Sequence, residues 1–149
     1  MVEIRTATID DLPAVVDLWR REGGPSRAPG GPDEVRALID HDPDALLLAE
    51  SEGRLVGTVI AGWDGWRCHL DRHVVEPEAR RRGGAAALTA AARRRAAACG
   101  APRLDAMVHP ENLAAEAFWA ANGFALDSDR RWSVAPVGPR PSGNGDKRL

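Results

Sequence analysis

Apolar residues along the chain switch between two spacings, and the switches divide it into elements. Val2, Ile4 and Ala7 suit a short first strand, after which Leu12, Val15, Val16 and Trp19 recur at helical spacing. Asp10 or Asp11 is placed to cap that helix, and Pro13 is tolerated in its first turn. Residues 23–32 are too rich in Gly and Pro for regular structure and read as a mobile loop. Val35, Leu38 and Ile39 mark a second short helix that ends near Asp42-Pro43.

Three strands are expected next, over residues 45–49, 54–63 and 66–75, the first two joined across Glu52-Gly53. Between the second and third lies Trp63-Asp64-Gly65-Trp66. Asp-Gly favours a two-residue type I′ turn, which would set the two Trp opposite each other. Residues 83–98 are Ala-rich and helix-forming, closed by Gly100. A strand over 104–108, a helix over 112–122 stopped by Gly123, and strands over 124–126 and 132–134 complete the pattern. The order gives an α+β domain. Residues 136–149 carry Pro, Gly, Ser and charge and are expected to form a disordered tail, so the domain spans 1–135.

Composition narrows the function. The chain has 149 residues, enough for one domain with a real core, and a net charge of −2 that argues against a nucleic-acid or membrane-surface partner. No stretch has the length and apolarity of a spanning helix, and Met1-Val2-Glu3-Ile4-Arg5 starts directly in a strand pattern without a signal peptide. Cys68 and Cys99 lie far apart, without the close spacing of zinc or redox motifs. The expectation is a reduced, cytoplasmic protein with no metal.

The chemistry concentrates where Val74-Val75 ends an apolar strand and Pro77-Glu78-Ala79-Arg80-Arg81-Arg82-Gly83-Gly84-Ala85 leads into a helix. Such a turn points unpaired backbone N–H groups outward, where the helix dipole favours an anion. Small residues at Gly83, Gly84 and Ala85 let the backbone approach a diphosphate, and Arg80, Arg81 and Arg82 add positive charge. Arg93-Arg94-Arg95, by contrast, spread around a helix axis and cannot form one site.

Arg80-x-x-Gly83-x-Ala85 resembles the Arg/Gln-x-x-Gly-x-Gly/Ala signature of the GNAT family of N-acetyltransferases. Asn112-x-x-Ala115-x-x-Phe118-Trp119-x-x-x-Gly123-Phe124 is similar to that family's downstream pattern. The resemblance covers residues 2–134. It implies a mixed, mostly antiparallel sheet of six or seven strands flanked by about four helices, splayed between the fourth and fifth strands to admit acetyl-CoA as co-substrate. Val74 and Val75 would then offer backbone groups to the pantetheine arm, and an N–H there would polarise the thioester carbonyl. Arg81, Arg82, Gly83, Gly84 and Ala85 would offer amides to the pyrophosphate, with Arg80 part of the same signature. Asn112 would bind the far side of the arm, beside Trp119.

The reaction so implied is direct attack of an amine on the thioester in a ternary complex, which needs a base for the ammonium proton. Alternation over 66–75 puts His69, Asp71 and His73 on one face, and the family often places its base on this strand, at positions matching His69 or Asp71. Glu22, beside the Gly/Pro loop, is an alternative base or amine anchor; His109 and Glu50 are weaker candidates. One departure stands out. Many family members carry a Tyr that protonates the leaving thiolate where this chain has Trp119, and this chain has no Tyr. Two readings are compatible with these residues: an N-acetyltransferase acting on a small-molecule or peptide amine, or a non-catalytic acyl-CoA-binding module of the same fold. A homodimer is compatible with either.

Overall fold

The computed structural model describes residues 1–23, 30–129 and 133–134. The tail expected over 136–149, most of the Gly/Pro loop and Trp132 lie outside the described residues. The described residues divide into two compact units, residues 1–107 and residues 108–134.

In the first unit, β1 (Val2–Thr6) leads through a 3₁₀ turn (Ile9–Asp11) into α1 (Leu12–Glu22), followed by α2 (Pro32–His41). Strands β2 (Leu46–Ser51), β3 (Arg54–Trp63) and β4 (Cys68–Val75) come next. After them come α3 (Pro77–Arg81), α4 (Gly84–Cys99) and β5 (Leu104–Ala106). The sheet order is β1-β2-β3-β4-β5, antiparallel throughout except for the parallel pair β4-β5. The α+β class and the mixed, mostly antiparallel sheet expected from the sequence are therefore present.

The sheet is the middle of three layers. Leu46 and Leu48 join Val15, Val16, Leu18 and Trp19 of α1 and Val35 of α2 in one core cluster, to which Val74 also belongs. Alternation turns Leu47 and Ala49 to the opposite face, where α4 packs with Leu88, Ala92 and Ala96 buried. A strand buried on both faces reads as a continuous apolar run, and Leu46-Leu47-Leu48-Ala49 is one. The many alanines of α4 let its axis lie close to the sheet. Gly100, at φ +78°, ends the helix with Gly100 N donating to Ala97 O and Ala101 N to Ala96 O, the paired bonds of a Schellman termination.

The second unit holds α5 (Leu113–Ala121), started by Asn112, whose Oδ1 accepts from Ala115 N at 3.1 Å. It ends in a second Schellman motif: Gly123 N donates to Ala120 O and Phe124 N to Trp119 O, with the Trp119 and Phe124 rings 4.7 Å apart. The Trp-x-x-x-Gly-Phe spacing is thus a helix stop.

Several expectations need correction. Residues 124–126 form no strand, so the described residues contain five strands rather than six or seven; Phe124 is engaged instead in closing α5. A short helix that the residue pattern did not suggest, α3, precedes α4 and raises the α-helices among the described residues to five. The Asp64-Gly65 pair does not form a two-residue turn. Asp64 Oδ1 accepts from both Trp66 N and Arg67 N at 2.7 Å, an Asx-type loop that stretches the connection to residues 64–67. Trp63 consequently faces Cys68, and Trp66 is 73% exposed. The tight hairpin lies at Glu52-Gly53, where both residues have positive φ as a type I′ turn requires. Nor does an aspartate side chain cap α1: Asp11 Oδ2 accepts from Thr8 N at 2.7 Å and both Asp11 oxygens accept from Arg5.

Arg5 also pairs with Glu50, tying β1 to β2 and to the entry of α1. Chiefly through the Arg5 bond, the Asp11 carboxyl is held down at about 2. A carboxyl depressed in the folded state contributes stability that is present above its unfolded value near 3.8 and lost as pH falls through about 2. Asp11→Asn should therefore melt below the wild type at neutral pH, with the gap closing between about pH 4 and 2. Thermal denaturation across that range checks it, and a gap that stays constant in acid would count against the Arg5–Asp11 pairing as its source.

Candidate functional site

The path of β4 is set by an irregularity. Thr58 pairs with Val74 and Ile60 with Asp71, so Val59 stands opposite two residues, Arg72 and His73. This is a β-bulge, and Arg72 takes φ +50°, an uncommon value for a residue with a long side chain. Regular alternation would put Asp71 and Val74 on opposite faces. Instead Val74 lies in the α1-side cluster, and Ile60, the partner of Asp71, packs against that same cluster. His69, two residues before Asp71, shares its face.

His73 turns to the other face. Its Nε2 lies 3.2 Å from both Ala85 O and Thr89 Oγ1 of α4, and Thr89 Oγ1 donates to Ala85 O. The expected row of His69, Asp71 and His73 is therefore broken, because strand alternation cannot anticipate an inserted residue. Burial pushes the His73 imidazole below its ordinary value, so it is neutral at pH 7 and acts as a tie between strand and helix.

β4 pairs with β5 only over Cys68–Leu70 with Leu104–Ala106. From Asp71 onward no strand pairs with that edge of β4 among the described residues, which is the splay expected between the fourth and fifth strands. Glu76 N donates to Val56 O on the β3 side, so alternation turns the Val75 N–H to the open edge. Val75 O accepts from Arg80 Nε at 2.8 Å. Arg80 thus closes the turn through this bond, although like Arg81 and Arg82 it is exposed.

Glycines make the turn possible for two reasons. Gly83 has φ +81°, which L side chains rarely adopt. A Cβ at Gly84 would lie 2.9 Å from Ala79 O, so its smallness serves the packing of α4 on α3. Ala87 N donates to Gly83 O, so Gly84, Ala85 and Ala86 bear the N–H groups that precede the first i→i−4 bond of α4. No side chain caps them. A depression lined by Arg54, Glu76, Glu78 and Arg82 adjoins this turn.

His69 is half-exposed, with Nε2 3.8 Å from Asp64 Oδ2 and Nδ1 3.9 Å from Asp105 Oδ2. Asp71 is exposed on the same side of the strand, and Glu22 ends α1 beside Arg21, 3.9 Å away. Glu50 is engaged by Arg5. In the second unit, Asn112 caps α5, Trp119 packs edge-on against Phe118 and Phe124, and the exposed His109 accepts from Glu111 N. Cys68 is buried, which pushes its thiol up and away from thiolate chemistry. Among the described residues, no three His, Cys, Asp or Glu are grouped as metal ligands, and no helix is long and apolar enough to cross a membrane.

Thr58 and Arg72 were not singled out by the sequence. Trp19 Nε1 donates to Thr58 Oγ1 at 2.9 Å, and Thr58 Oγ1 donates to Arg72 O at 2.9 Å, inside the bulge. The Arg72 guanidinium lies 4.8 Å from the centre of the Trp19 ring. A threonine in the middle of an apolar strand would have been the only hint.

Comparison with known proteins agrees with this geometry. The model of the acetyltransferase (GNAT) family matches residues 12–124. An acetyltransferase of Pectobacterium atrosepticum is 37% identical over 114 residues, spanning 76% of this chain and 80% of that protein. One from Sodalis glossinidius is 35% identical over the same coverage. Among solved structures, a paiA N-acetyltransferase from Thermoplasma acidophilum in complex with coenzyme A superposes with a TM-score of 0.77 at 19% identity, covering 87% of this chain and 93% of that one. Ard1 from Thermoplasma volcanium gives 0.74 at 17% identity, covering 85% and 84%.

The neutral, buried His73 gives a pH signature. Its folded value lies below the unfolded 6.5, so it contributes stability that is present above pH 6.5 and lost as pH falls below it. Between about pH 7.5 and 5.5 the melting temperature should fall further in the wild type than in His73→Gln. Parallel pH curves for the two proteins would show that His73 is not the titrating tie.

Proposed function

The chain belongs to the GNAT family of acetyltransferases and is an acetyl-CoA-dependent enzyme of that family; on that premise we propose that it transfers the acetyl group to an amine by direct attack in a ternary complex. The observation that carries this is the open edge of β4 running straight into a glycine-capped helix N-terminus. A strand edge with an outward N–H suits an extended amide-bearing arm, and the uncapped N–H groups of α4 suit a diphosphate. The coenzyme A bound by the Thermoplasma acidophilum protein is consistent with such a guest.

On this reading the Val75 N–H receives the thioester oxygen, while alternation turns the backbone groups of Val74, the other residue expected at the arm, to β3. Gly83, Gly84 and Ala85 offer amides to the pyrophosphate, helped by the amides and charges of Arg81 and Arg82. Arg80 supports the turn through Val75 O. In the second unit Asn112 spends Oδ1 on the cap of α5 and keeps Nδ2 as a donor. The amine nitrogen attacks the carbonyl carbon, forming C–N as C–S breaks, and coenzyme A leaves as a thiolate. His69 or Asp71 takes the amine proton, directly or through water, with Glu22 as alternative base or amine anchor. Trp119 can donate no acidic proton, so the thiolate is protonated from water.

Trp119 is also what favours the second reading, an acyl-CoA-binding module without catalysis. Thiol release from acetyl-CoA across a panel of small amines and peptides separates the two: release that depends on the amine supports the enzyme, while tight binding without it supports the module. Gly83→Glu should abolish binding under both, because its charge and φ oppose an anion at α4. If His69 is the base, His69→Ala should lower kcat by about 10²-fold and flatten the rise of rate with pH, and Asp71→Asn should not. The reverse outcome assigns the base to Asp71.

A further inference from the structure

Arg72 at φ +50° is held in place by more than strand pairing. Thr58 is fully buried in the middle of β3, opposite Val74, and its hydroxyl faces the bulge of β4. It accepts from the Trp19 indole N–H and donates to the Arg72 carbonyl, each at 2.9 Å, so one oxygen joins α1, β3 and β4. The indole itself is enclosed. Arg72 lies over its face, and a Cβ at Gly30 would come within 2.4 Å of its Cε3, so the backbone there rests against the ring. An indole enclosed on these sides keeps its N–H on Thr58.

The peptide that Thr58 grips sets the direction of the last residues of β4. Arg72 and His73 together face Val59, and the next two residues are Val74, paired to Thr58, and Val75, whose N–H turns to the open edge. If the Arg72 carbonyl swung free, the inserted residue could shift along the strand, and a shift of one position exchanges the directions of the Val74 and Val75 N–H groups.

We infer that Trp19 and Thr58 form a clasp that fixes the β4 bulge and thereby aims the Val75 N–H at the acetyl thioester; they are positioning residues, distant from the reacting atoms. The inference rests on the proposed acetyl transfer. A donor aimed at the carbonyl oxygen matters more as charge develops there than in the resting complex, so loosening the clasp should lower kcat and leave acetyl-CoA affinity largely alone.

The test is Thr58→Val, which keeps shape and removes both bonds, beside Thr58→Ser, which keeps the hydroxyl, and Trp19→Phe, which keeps a ring and removes the donor. Turnover with the best amine, acetyl-CoA affinity by calorimetry, melting temperature and the amide resonances of Val74 and Val75 are read for each. Thr58→Val should lose about tenfold or more in kcat with its acetyl-CoA Kd within about threefold, and Thr58→Ser should recover most of the rate. Trp19→Phe should fall in the same direction by a smaller factor. Wild-type turnover in Thr58→Val, or an equal loss in Thr58→Ser, overturns the clasp. Should Thr58→Val fail to fold, Trp19→Phe decides: a lower kcat at unchanged Kd supports it and wild-type kcat overturns it. Should the wild type itself transfer no acetyl group, the proposed acetyl transfer fails separately. The amides then decide: Val74 and Val75 resonances that move in Trp19→Phe or Thr58→Val but not in Thr58→Ser support the clasp, and unmoved resonances overturn it.

Discussion

One extra residue in β4 governs the arrangement of this site. Because Arg72 and His73 share a single partner on β3, everything after them is turned over relative to everything before. Val74 enters the α1-side core, Asp71 stays on that side at the surface, and His73 is delivered to α4. Without the bulge His73 would share a face with His69 and Asp71, and α4 would lose the imidazole that ties it to the strand. The bulge also accompanies the point where β4 leaves β5, since pairing ends at Leu70 and the irregularity begins two residues later. A strand that twists more strongly at a bulge cannot keep both neighbours in register, and here it keeps β3.

The turn after β4 uses most of its distinctive residues for its own construction. Arg80 satisfies the last strand carbonyl, Gly83 takes the left-handed conformation, and Gly84 lets α4 pack on Ala79. What remains for an anion is backbone: the N–H groups of the first turn of a 16-residue helix, backed by its dipole. This explains why a short pattern of Arg and Gly can mark the site while its arginine need not touch the ligand. Glu76, buried next to the turn, is itself neutralised by Arg54 and Arg21, so a carboxylate close to the proposed anion site is balanced by two cations.

The elements whose periodicity reflects burial were legible in the sequence: α1 from Leu12, Val15, Val16 and Trp19, β2 from its unbroken apolar run, and α4 and α5 from composition and terminal glycines. The turn chemistry was legible where backbone conformation alone decides it, as at Gly100, whereas Gly83 was read for its smallness and not for its left-handed conformation. Other features, α3 among them, were not legible. The Asp64 loop depends on a side chain folding back on the backbone, which Asp-Gly spacing does not encode. The bulge depends on contacts from α1, more than 50 residues earlier in the chain than Arg72, since Trp19 and Arg72 differ by 53 positions. The strand expected at 124–126 was misjudged because Phe124 looks like strand sequence yet serves to close a helix.

The absence of Tyr shifts the burden of the proposed reaction onto geometry. A thiolate is stable enough to leave without simultaneous protonation, so losing a thiol-directed acid costs less than losing the donor that faces the carbonyl oxygen. A backbone N–H serves there without a charge of its own, and a backbone N–H is aimed by fixing the chain on both sides of it. On the downstream side Arg80 does this through Val75 O; on the upstream side the Thr58 hydroxyl does it through Arg72 O. A chain that dispenses with the acid has reason to hold this short segment at both ends, and the two bonds, each closing on a carbonyl of β4, are where it is held.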